Sequence, residues 1–220
     1  MTALRTADGY TFADEGGVGS GGAAQTLLLF HGTGGDERQF LSLAREFMPG
    51  ARRIAPLGDV SEGGARRFFR RRAEGVYDMD DLARATAQMA DFVAARVAET
   101  PVSNGMERGG PVIGLGYSNG ANILASTIIA RPDLFDAAVL MHPLIPWEPT
   151  PRAIGTRILI TAGERDPLCP APATKALARW FGEQGAATTV HWHPGGHEVD
   201  RSEITAISKF LERERERAAA

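Results

Sequence analysis

The sequence predicts an α/β domain, with a mostly parallel sheet and helices packed on both faces. Short runs of continuously apolar residues alternate along the chain with longer segments of helical spacing. Strands that are apolar on both faces are typical of a parallel sheet covered on both sides. A Gly-x-Ser-x-Gly sequence at residues 116–120 lies between an apolar run and a helical segment, the setting of a sharp strand-to-helix turn.

The first half of the chain begins with residues 1–24, predicted to be a partly flexible segment because residues 16–24 are mainly glycine and alanine. The apolar run at residues 26–30 predicts a strand. Helical spacing over residues 36–48 predicts a helix that ends at a Pro-Gly pair, and a short strand is predicted at 52–56. Residues 57–78 show no clear periodicity, so we expect a long irregular segment, which is often functional.

The second half begins with one apolar stripe over residues 79–99, which predicts an amphipathic helix. Residues 142–152 contain four prolines and are predicted to be a loop. Short apolar runs predict strands at 111–116, 137–141, 157–162 and 188–192. Helices are predicted at 119–130, 173–184 and 199–215, followed by a charged tail over 212–220 that is expected to fray.

Length and composition favour one domain over residues 1–220, since a single α/β unit of this size is common. One cysteine excludes an internal disulfide, and the N-terminal residues do not resemble a secretory signal, so a cytoplasmic protein is expected. No run approaches the ~18 apolar residues of a membrane-spanning helix. The net charge of −3 argues against nucleic acid as the main partner.

Ser118 is the predicted nucleophile. It lies at the centre of the sequence Gly-Tyr-Ser-Asn-Gly, where small flanking residues allow a strand and a helix to approach closely around a strained turn. The helix that follows would direct its N-terminal N–H groups to the place where negative charge develops. The alternative is a glycine-rich helix start with a capping serine.

A nucleophilic serine needs a base, and His197 is the prediction. It lies in a loop before the last predicted helix, where Gly195 and Gly196 give the backbone freedom to direct the ring toward the strand ends. His191 and His193 alternate along the end of a strand and therefore point to one face. His193 is the second candidate, and an exposed, non-catalytic His197 is the remaining alternative.

Asp166 is predicted to be the carboxylate that orients the base. It follows the apolar strand at 157–162 directly, after the serine and before the histidine, which is the chain order expected for this arrangement. Glu164 in the same turn is the fallback. Asp133 and Asp136 lie in a turn at the end of a helix and are expected on the surface.

Two backbone N–H groups are predicted to form the oxyanion hole. One is that of Asn119, directly after the nucleophile, and the other is that of Thr33, in the sequence His-Gly-Thr-Gly-Gly after an early strand. Small residues in this loop allow main-chain N–H groups to converge. The loop lacks the lysine of a phosphate-binding P-loop and the spacing of a dinucleotide-binding turn.

Taken together, these segments resemble the carboxylesterase/phospholipase group of the α/β-hydrolase superfamily, which includes acyl-protein thioesterases and is close to the dienelactone hydrolases. The resemblance rests on LLLFHGTGGDE, RFFRRRAEGVYD, GYSNGAN, ITAGERDPLCP and HPGGHEV, which together extend over most of the chain. It implies the α/β-hydrolase fold with a sheet of six or seven strands and without a large lid domain, a Ser-Asp-His triad, and no metal or organic cofactor. Homodimers are common among such proteins, so the resemblance is also compatible with a homodimer.

Substrate-binding residues are predicted in two segments. Five arginines in residues 66–72 are interpreted as a solvated basic face, or alternatively as a source of Arg70 and Arg71, which with Tyr77 would reach the active-site mouth and bind a carboxylate. Leu144 and Trp147, in the proline-rich loop, are predicted to line the acyl or alcohol pocket, with ordinary loop packing as the alternative.

The resemblance implies hydrolysis of small carboxylic esters or thioesters through an acyl-enzyme. A lysophospholipase or acyl-protein thioesterase that acts on long acyl chains is the alternative enzyme, and it requires a long apolar groove. A non-catalytic binding protein with a hydrolase fold is the alternative of another class. The expected partner is a small-molecule ester, with no nucleic acid and no integral membrane association.

Overall fold

The computed structural model describes residues 4–16, 25–100 and 109–219. The described strands are β1 (Leu4–Ala7), β2 (Tyr10–Glu15), β3 (Thr26–Phe30), β4 (Arg52–Pro56), β5 (Val60–Glu62), β6 (Ala65–Arg67), β7 (Arg71–Ala73), β8 (Val76–Tyr77), β9 (Val112–Tyr117), β10 (Ala137–Met141), β11 (Arg157–Gly163) and β12 (Ala187–His193). The described helices are α1 (Leu41–Phe47), α2 (Met79–Ala98), α3 (Asn119–Ala130), α4 (Ala171–Glu183) and α5 (Arg201–Ala219).

The predicted α/β class is confirmed, with a central sheet in the order β1-β2-β4-β3-β9-β10-β11-β12. Neighbouring strands from β4 to β12 pair in parallel, and only the pairs β1–β2 and β2–β4 are antiparallel. In this sheet β3, β9, β10 and β11 all lie between two neighbours. Their carboxyl ends meet at one edge, which is where parallel α/β sheets place ligands.

The sheet has eight strands, and the prediction of six or seven is corrected by the N-terminal hairpin of β1 and β2. Asp8 and Gly9 join these strands with φ values of 50° and 82°, the conformation of a tight Asp-Gly hairpin turn. Tyr10 and Phe12 alternate along β2 and are fully buried against Phe92 of α2. The Asp-Gly pair followed by alternating aromatic residues was the sequence signal for this hairpin.

Helices cover both faces of the sheet, as predicted. Apolar residues of α2, α3 and α4 pack with one face, and those of α1 and α5 pack with the other. Helix α5 continues to Ala219 through the charged segment that was expected to fray, and the buried Glu214 pairs with Arg157 of β11 at 2.6 Å. None of the helices that the structure describes combines the length and apolar composition needed to cross a lipid bilayer.

The sequence had suggested an irregular segment over residues 57–78. The structure instead forms two short hairpins there, β5–β6 and β7–β8. Glycines with positive φ turn both: Gly63 and Gly64 in the first and Gly75 in the second. The strands are only two or three residues long, too short for a periodic pattern. Between the hairpins, Phe68 and Phe69 are fully buried, which fixes this segment above the carboxyl edge of the sheet.

Candidate active site

Ser118 lies on a strained turn between β9 and α3. Its φ of 52° and ψ of −116° place a non-glycine residue in a sparsely populated region of backbone conformation. Its N–H donates to Met141 O at the end of β10, at 2.8 Å, and this bond holds the turn against the sheet. The observed turn agrees with the strand-to-helix interpretation of the Gly-x-Ser-x-Gly sequence.

Gly120 is required by this geometry because its α-carbon faces the end of β3. A Cβ at this position would lie 2.2 Å from Phe30 O and 2.5 Å from His31 O, distances that only backbone movement could relieve. Gly116 is similarly close to the first turn of α3, where a Cβ would lie 2.5 Å from Gly120 O. The two glycines therefore bring strand and helix together around Ser118.

We expect Gly120→Ala to lower the free energy of unfolding by about 1–3 kcal/mol, because the added methyl group forces α3 away from β3. Gly182→Ala in α4 is the matched control, since a Cβ there meets nothing within 4 Å. A helical glycine replaced by alanine without a clash gains up to about 1 kcal/mol. Urea denaturation of the two variants measures both changes, and a Gly120→Ala variant as stable as the wild type contradicts the close approach.

Ser118, His197 and Asp166, although distant in sequence, form one hydrogen-bonded row. Nδ1 of His197 lies 2.8 Å from Oδ2 of Asp166, and Nε2 lies 2.9 Å from Ser118 Oγ. A carboxylate only accepts hydrogen bonds, so Nδ1 carries the proton of the neutral ring and Nε2 is left to accept from the hydroxyl. The structure thus brings together the three residues that the sequence selected, which follow the ends of β9, β11 and β12.

Asp166 is held in position from both of its oxygens. Oδ1 accepts the backbone N–H groups of Leu168 and Cys169 at 2.8 and 2.9 Å, and Oδ2 accepts from His142 and His197, each at 2.8 Å. Burial would raise the pKa of this carboxyl, but the bonds from Cys169, His142 and His197 outweigh it and hold the pKa below its usual value. Asp166 is therefore ionised and fixed at neutral pH.

The two predicted oxyanion donors lie beside Ser118, and no described residue accepts a hydrogen bond from the N–H of Thr33 or Asn119. The side chains of both residues are anchored to the segment between the hairpins. Asn119 Oδ1 accepts from Phe68 N at 2.7 Å, and Thr33 Oγ1 accepts from Arg67 Nη1 at 2.7 Å. These contacts fix two donors that are free to bind a ligand oxygen.

His31 stabilises the loop that carries Thr33. Its Nδ1 donates to Gly32 O at 2.7 Å and its Nε2 accepts from Gly58 N at 2.9 Å, which uses both ring nitrogens. Burial lowers the pKa of His31, with smaller opposing contributions from nearby groups, so the ring is neutral. His31 therefore has a structural role in this loop.

A cavity of about 230 Å³ opens beside Ser118 and His197 and tests the predicted substrate-binding residues. Arg71, Tyr77 and Leu144 line it, as predicted. Arg70 does not: its side chain is exposed, and its hydrogen bonds are made by its backbone, whose N–H donates to Asp81 and whose carbonyl accepts from the Asp78 N–H. Adjacent residues of an extended segment point in opposite directions, so Arg70 and Arg71 do not reach the cavity together.

Trp147 is also misplaced by the prediction. It lines a separate cavity of about 440 Å³ between α2 and α3, and its ring packs edge-on against Tyr77 at 6.2 Å. Tyr77 separates the two cavities, because its hydroxyl donates to Leu144 O at 3.0 Å and accepts from Asn122 Nδ2 at 2.7 Å. The larger cavity contains no nucleophile with a base, so the smaller one is the candidate active site.

The sequence did not single out every residue that lines the cavity, and Arg67 and Tyr117 are two that it missed. Arg67 is 3% exposed and contacts the Thr33 loop, and Tyr117 packs its ring 5.4 Å from that of His197. The Tyr117 hydroxyl donates to His197 O at 2.7 Å, which fixes the loop that carries the base. Tyr117 is the variable residue before the serine, and the arginine run gave no signal to select Arg67 from its neighbours.

Two groups of described side chains have potential metal-ligating atoms that lie within 4.8 Å of one another. The first group is His142, His193 and Glu203, and the second is His142, Asp166 and His197. The hydrogen bonds leave too few free lone pairs for an ion. His142 and His197 each donate Nδ1–H to Asp166. His193 Nδ1 accepts from Gly195 N at 3.1 Å, so the neutral ring carries its proton on Nε2. The described side chains therefore form a proton-bearing network.

The fold and the turn at Ser118 define an enzyme of the α/β-hydrolase class. The model of the dienelactone hydrolase family matches residues 59–206, more than half of the chain. The chain belongs to this family, as its resemblance to the carboxylesterase and phospholipase group had indicated.

Individual relatives agree with this assignment. The chain is 40% identical over 185 residues to MhqD of Bacillus subtilis (strain 168), covering 83% of this chain and 90% of MhqD. The structure of Atu2452 from Agrobacterium tumefaciens str. C58, a protein of unknown function, is 52% identical with a TM-score of 0.86 over 94% of this chain and 97% of that one. A Bacillus cereus carboxylesterase is 31% identical with a TM-score of 0.83, covering 93% and 94% of the two chains.

Proposed function

We propose that this protein hydrolyses small carboxylic esters through a covalent acyl-enzyme. The observation that carries the proposal is the continuous row from Ser118 Oγ through His197 to Asp166, with distances of 2.9 and 2.8 Å. Such a row activates a hydroxyl as a nucleophile. The similarity to a carboxylesterase supports the same reaction class.

In the first half-reaction, Ser118 Oγ forms a bond to the ester carbonyl carbon as its proton moves to Nε2 of His197. The N–H groups of Thr33 and Asn119 donate to the resulting oxyanion. The bond to the alcohol oxygen then breaks, and His197 returns its proton to that oxygen. In the second half-reaction, water gives a proton to His197 as its oxygen bonds to the acyl carbon. The bond from that carbon to Ser118 Oγ then breaks, and His197 returns the proton to Oγ as the acid leaves.

The cavity supports a short acyl chain. About 230 Å³ is below the usual range of roughly 300–1,000 Å³ for small-molecule sites, and the hydrogen bonds of Tyr77 close it toward α2. A lysophospholipase or a long-chain thioesterase requires an extended apolar groove instead. Activity that rises steadily with acyl length is the outcome that would support those alternatives.

One side of the cavity is cationic and suits a substrate with a carboxylate. Arg67 is fixed through Nη1 to Thr33 and through Nε to Phe69 O, and no described residue accepts a hydrogen bond from its Nη2. Burial and the nearby Arg71 lower the pKa of the Arg67 guanidinium, and Glu62, whose Oε2 lies 3.6 Å from Arg67 Nε, opposes this shift only in part. Arg71 is already paired with Glu62 at 3.2 Å and with Glu74. Arg67 is therefore the stronger candidate to bind an anion.

We expect the enzyme to prefer the monomethyl ester of succinic acid over the neutral isostere in which isopropyl replaces the carboxylate. Arg67→Gln should reduce the ratio of the two kcat/KM values about 10-fold, the worth of one hydrogen bond to a charged group. The ratio is used because Arg67 also contacts the oxyanion loop, and loss there affects both esters equally. Arg72→Gln, at an exposed position of the same run, is the control.

The hydrolysis of both esters is measured by the release of protons. A ratio that stays unchanged in Arg67→Gln removes the carboxylate preference and leaves the ester hydrolysis standing. Absence of turnover for all short esters, together with no reaction of the wild type with a fluorophosphonate probe, would instead favour a non-catalytic binding protein.

A further inference from the structure

A second row of titratable side chains begins at Asp166 and continues behind it. Its members other than Asp166 have no place in the mechanism above. His142, directly after β10, is 0% exposed and lies with Nδ1 2.8 Å from Asp166 Oδ2. Its Nε2 lies 3.0 Å from Oε1 of Glu203 in α5, which is also 0% exposed. Glu203 Oε2 in turn lies 3.4 Å from His193 Nε2. We call Asp166, His142, Glu203 and His193 the buried row.

The backbone shows that His142 is held in place at a cost. Its φ of 50° is in the left-handed region, which a residue with a large side chain rarely occupies. The position is fixed by the His142 N–H, which donates to Thr161 O at 2.8 Å, and by its carbonyl, which accepts from Cys169 Sγ at 3.1 Å. Strain of this kind persists where the surrounding structure requires it and is common at functional sites.

The contacts of His142 determine where its protons lie. Nδ1 must be protonated, because Asp166 only accepts. Nε2 and Glu203 Oε1 are in ion-pair contact without a well-aligned hydrogen bond, and neither atom has another partner among the described residues. A bare lone pair facing a bare carboxylate oxygen at 3.0 Å between two fully buried side chains is repulsive, so a proton must lie between them.

That proton belongs on the imidazole. Burial alone would lower the pKa of His142, but its contacts with Glu203 and Asp166 outweigh burial and raise the pKa above the usual histidine value. For Glu203, burial is likewise outweighed by His142, Thr161 and the Asp200 N–H, and the pKa of the carboxyl is lowered. Both directions favour a proton on His142, between two carboxylates.

We propose that His142, kept as an imidazolium by Glu203, is a positioning residue that holds the triad carboxylate and makes His197 a weaker base. The ring centroids of His142 and His197 are 5.1 Å apart, and both rings donate to the same oxygen of Asp166. A fixed cation at this distance disfavours a second positive charge. The effect on rate depends on the proposed triad function, whereas the charge of His142 does not.

Other titratable groups around the buried row do not replace this cation. The groups that face it are Tyr117 from the end of β9, Asp166 and Cys169 from the loop after β11, His193 from β12, His197 and Glu198 from the following loop, and Glu203 from α5. Burial raises the pKa of Tyr117 to about 12, and burial also raises the pKa of Cys169, so both are neutral. Among the described carboxylates, Glu203 is the one that contacts His142 directly without also binding His197.

The charge of His142 is measured directly by nitrogen NMR of the wild-type protein with isotope-labelled histidine rings. We expect both ring nitrogens of His142 to be protonated at neutral pH, and only Nδ1 in Glu203→Gln. His142→Asn assigns the signals, since asparagine tolerates a positive φ and keeps a donor near Asp166. A neutral His142 in the wild type, with the proton on Glu203, or a stoichiometric bound metal found by elemental analysis, overturns the proposal.

The consequence for catalysis is measured in the pH profile of kcat/KM for a short ester. In Glu203→Gln, His142 becomes neutral while its bond to Asp166 remains, so the low-pH limb should move upward by about one pH unit. Glu212→Gln, an exposed charge on the same helix, should leave the limb unchanged. A purely structural role of Glu203 would lower stability or rate without moving the limb, and that result with a folded variant also overturns the proposal.

These two measurements separate the proposal from the function on which its second part rests. If short esters are not hydrolysed at all, the proposed function fails, and the NMR result still decides whether His142 is a cation. If esters are hydrolysed and Ser118 is the nucleophile, an unmoved limb in Glu203→Gln contradicts the role of the buried row alone.

Discussion

Replacement of Ser118 by alanine is expected to lower kcat for a short p-nitrophenyl ester by at least about 10⁴-fold, because no nucleophile remains at the end of the triad. The alanine keeps the strained turn and removes one hydroxyl, whose contact in the site is His197 Nε2 at 2.9 Å. The oxyanion donors and the cavity remain, so binding should change far less than turnover.

The matched control is Ser126→Ala in the same helix. Ser126 is buried, and its hydroxyl donates to Asn122 O at 2.8 Å within α3, away from the row of Ser118. Its rate should remain close to that of the wild type. Comparable activity of Ser118→Ala and Ser126→Ala would remove Ser118 from the mechanism, provided that circular dichroism shows both variants to be folded.

Asp166→Asn is expected to lower kcat by about 10⁴-fold without a large change in structure. The reason lies in which side of the new amide faces each neighbour. The N–H groups of Leu168 and Cys169 require an acceptor at the Oδ1 position, so the amide oxygen is confined there. The amide nitrogen then takes the place of Oδ2 and presents its own N–H to His197 and His142.

A donor at this position reverses the tautomer of the base. His197 Nδ1 must now accept, which places the proton on Nε2 and leaves no lone pair to accept from Ser118. Glu164→Gln is the control, since Glu164 follows the same strand and its side chain is exposed. Steady-state kinetics over a range of pH measures the loss. Normal activity of Asp166→Asn combined with an inactive Glu164→Gln would show that Glu164, and not Asp166, orients the base.

The sequence was sufficient for the parallel part of the fold and for the three residues of the row. Continuous apolar runs need no partner to be recognised as buried strands, and strands β3, β4 and β10 have the predicted limits. Chain order and the strand-end positions of Ser118, Asp166 and His197 are properties of the linear sequence, because parallel strands bring their carboxyl ends to one edge.

The rest depended on contacts between distant segments that no local pattern reports. Hairpins β5–β6 and β7–β8 are too short for periodicity, so the choice of Arg70 over Arg67 had no basis in side-chain direction. His142 lies directly after a strand and was open to the same argument as Asp166. Its importance arises from Glu203, which lies 61 positions further along the chain and had the appearance of an ordinary residue in the first turn of a helix.

The central claim is that Ser118 carries the acyl group during turnover, and rapid-quench mass spectrometry of the wild type with a p-nitrophenyl ester tests it most directly. We expect a burst of p-nitrophenol equal to one equivalent of enzyme, with the acyl mass on the peptide that contains Ser118. An acyl group mapped to another residue, or a burst that persists in Ser118→Ala, would contradict the account.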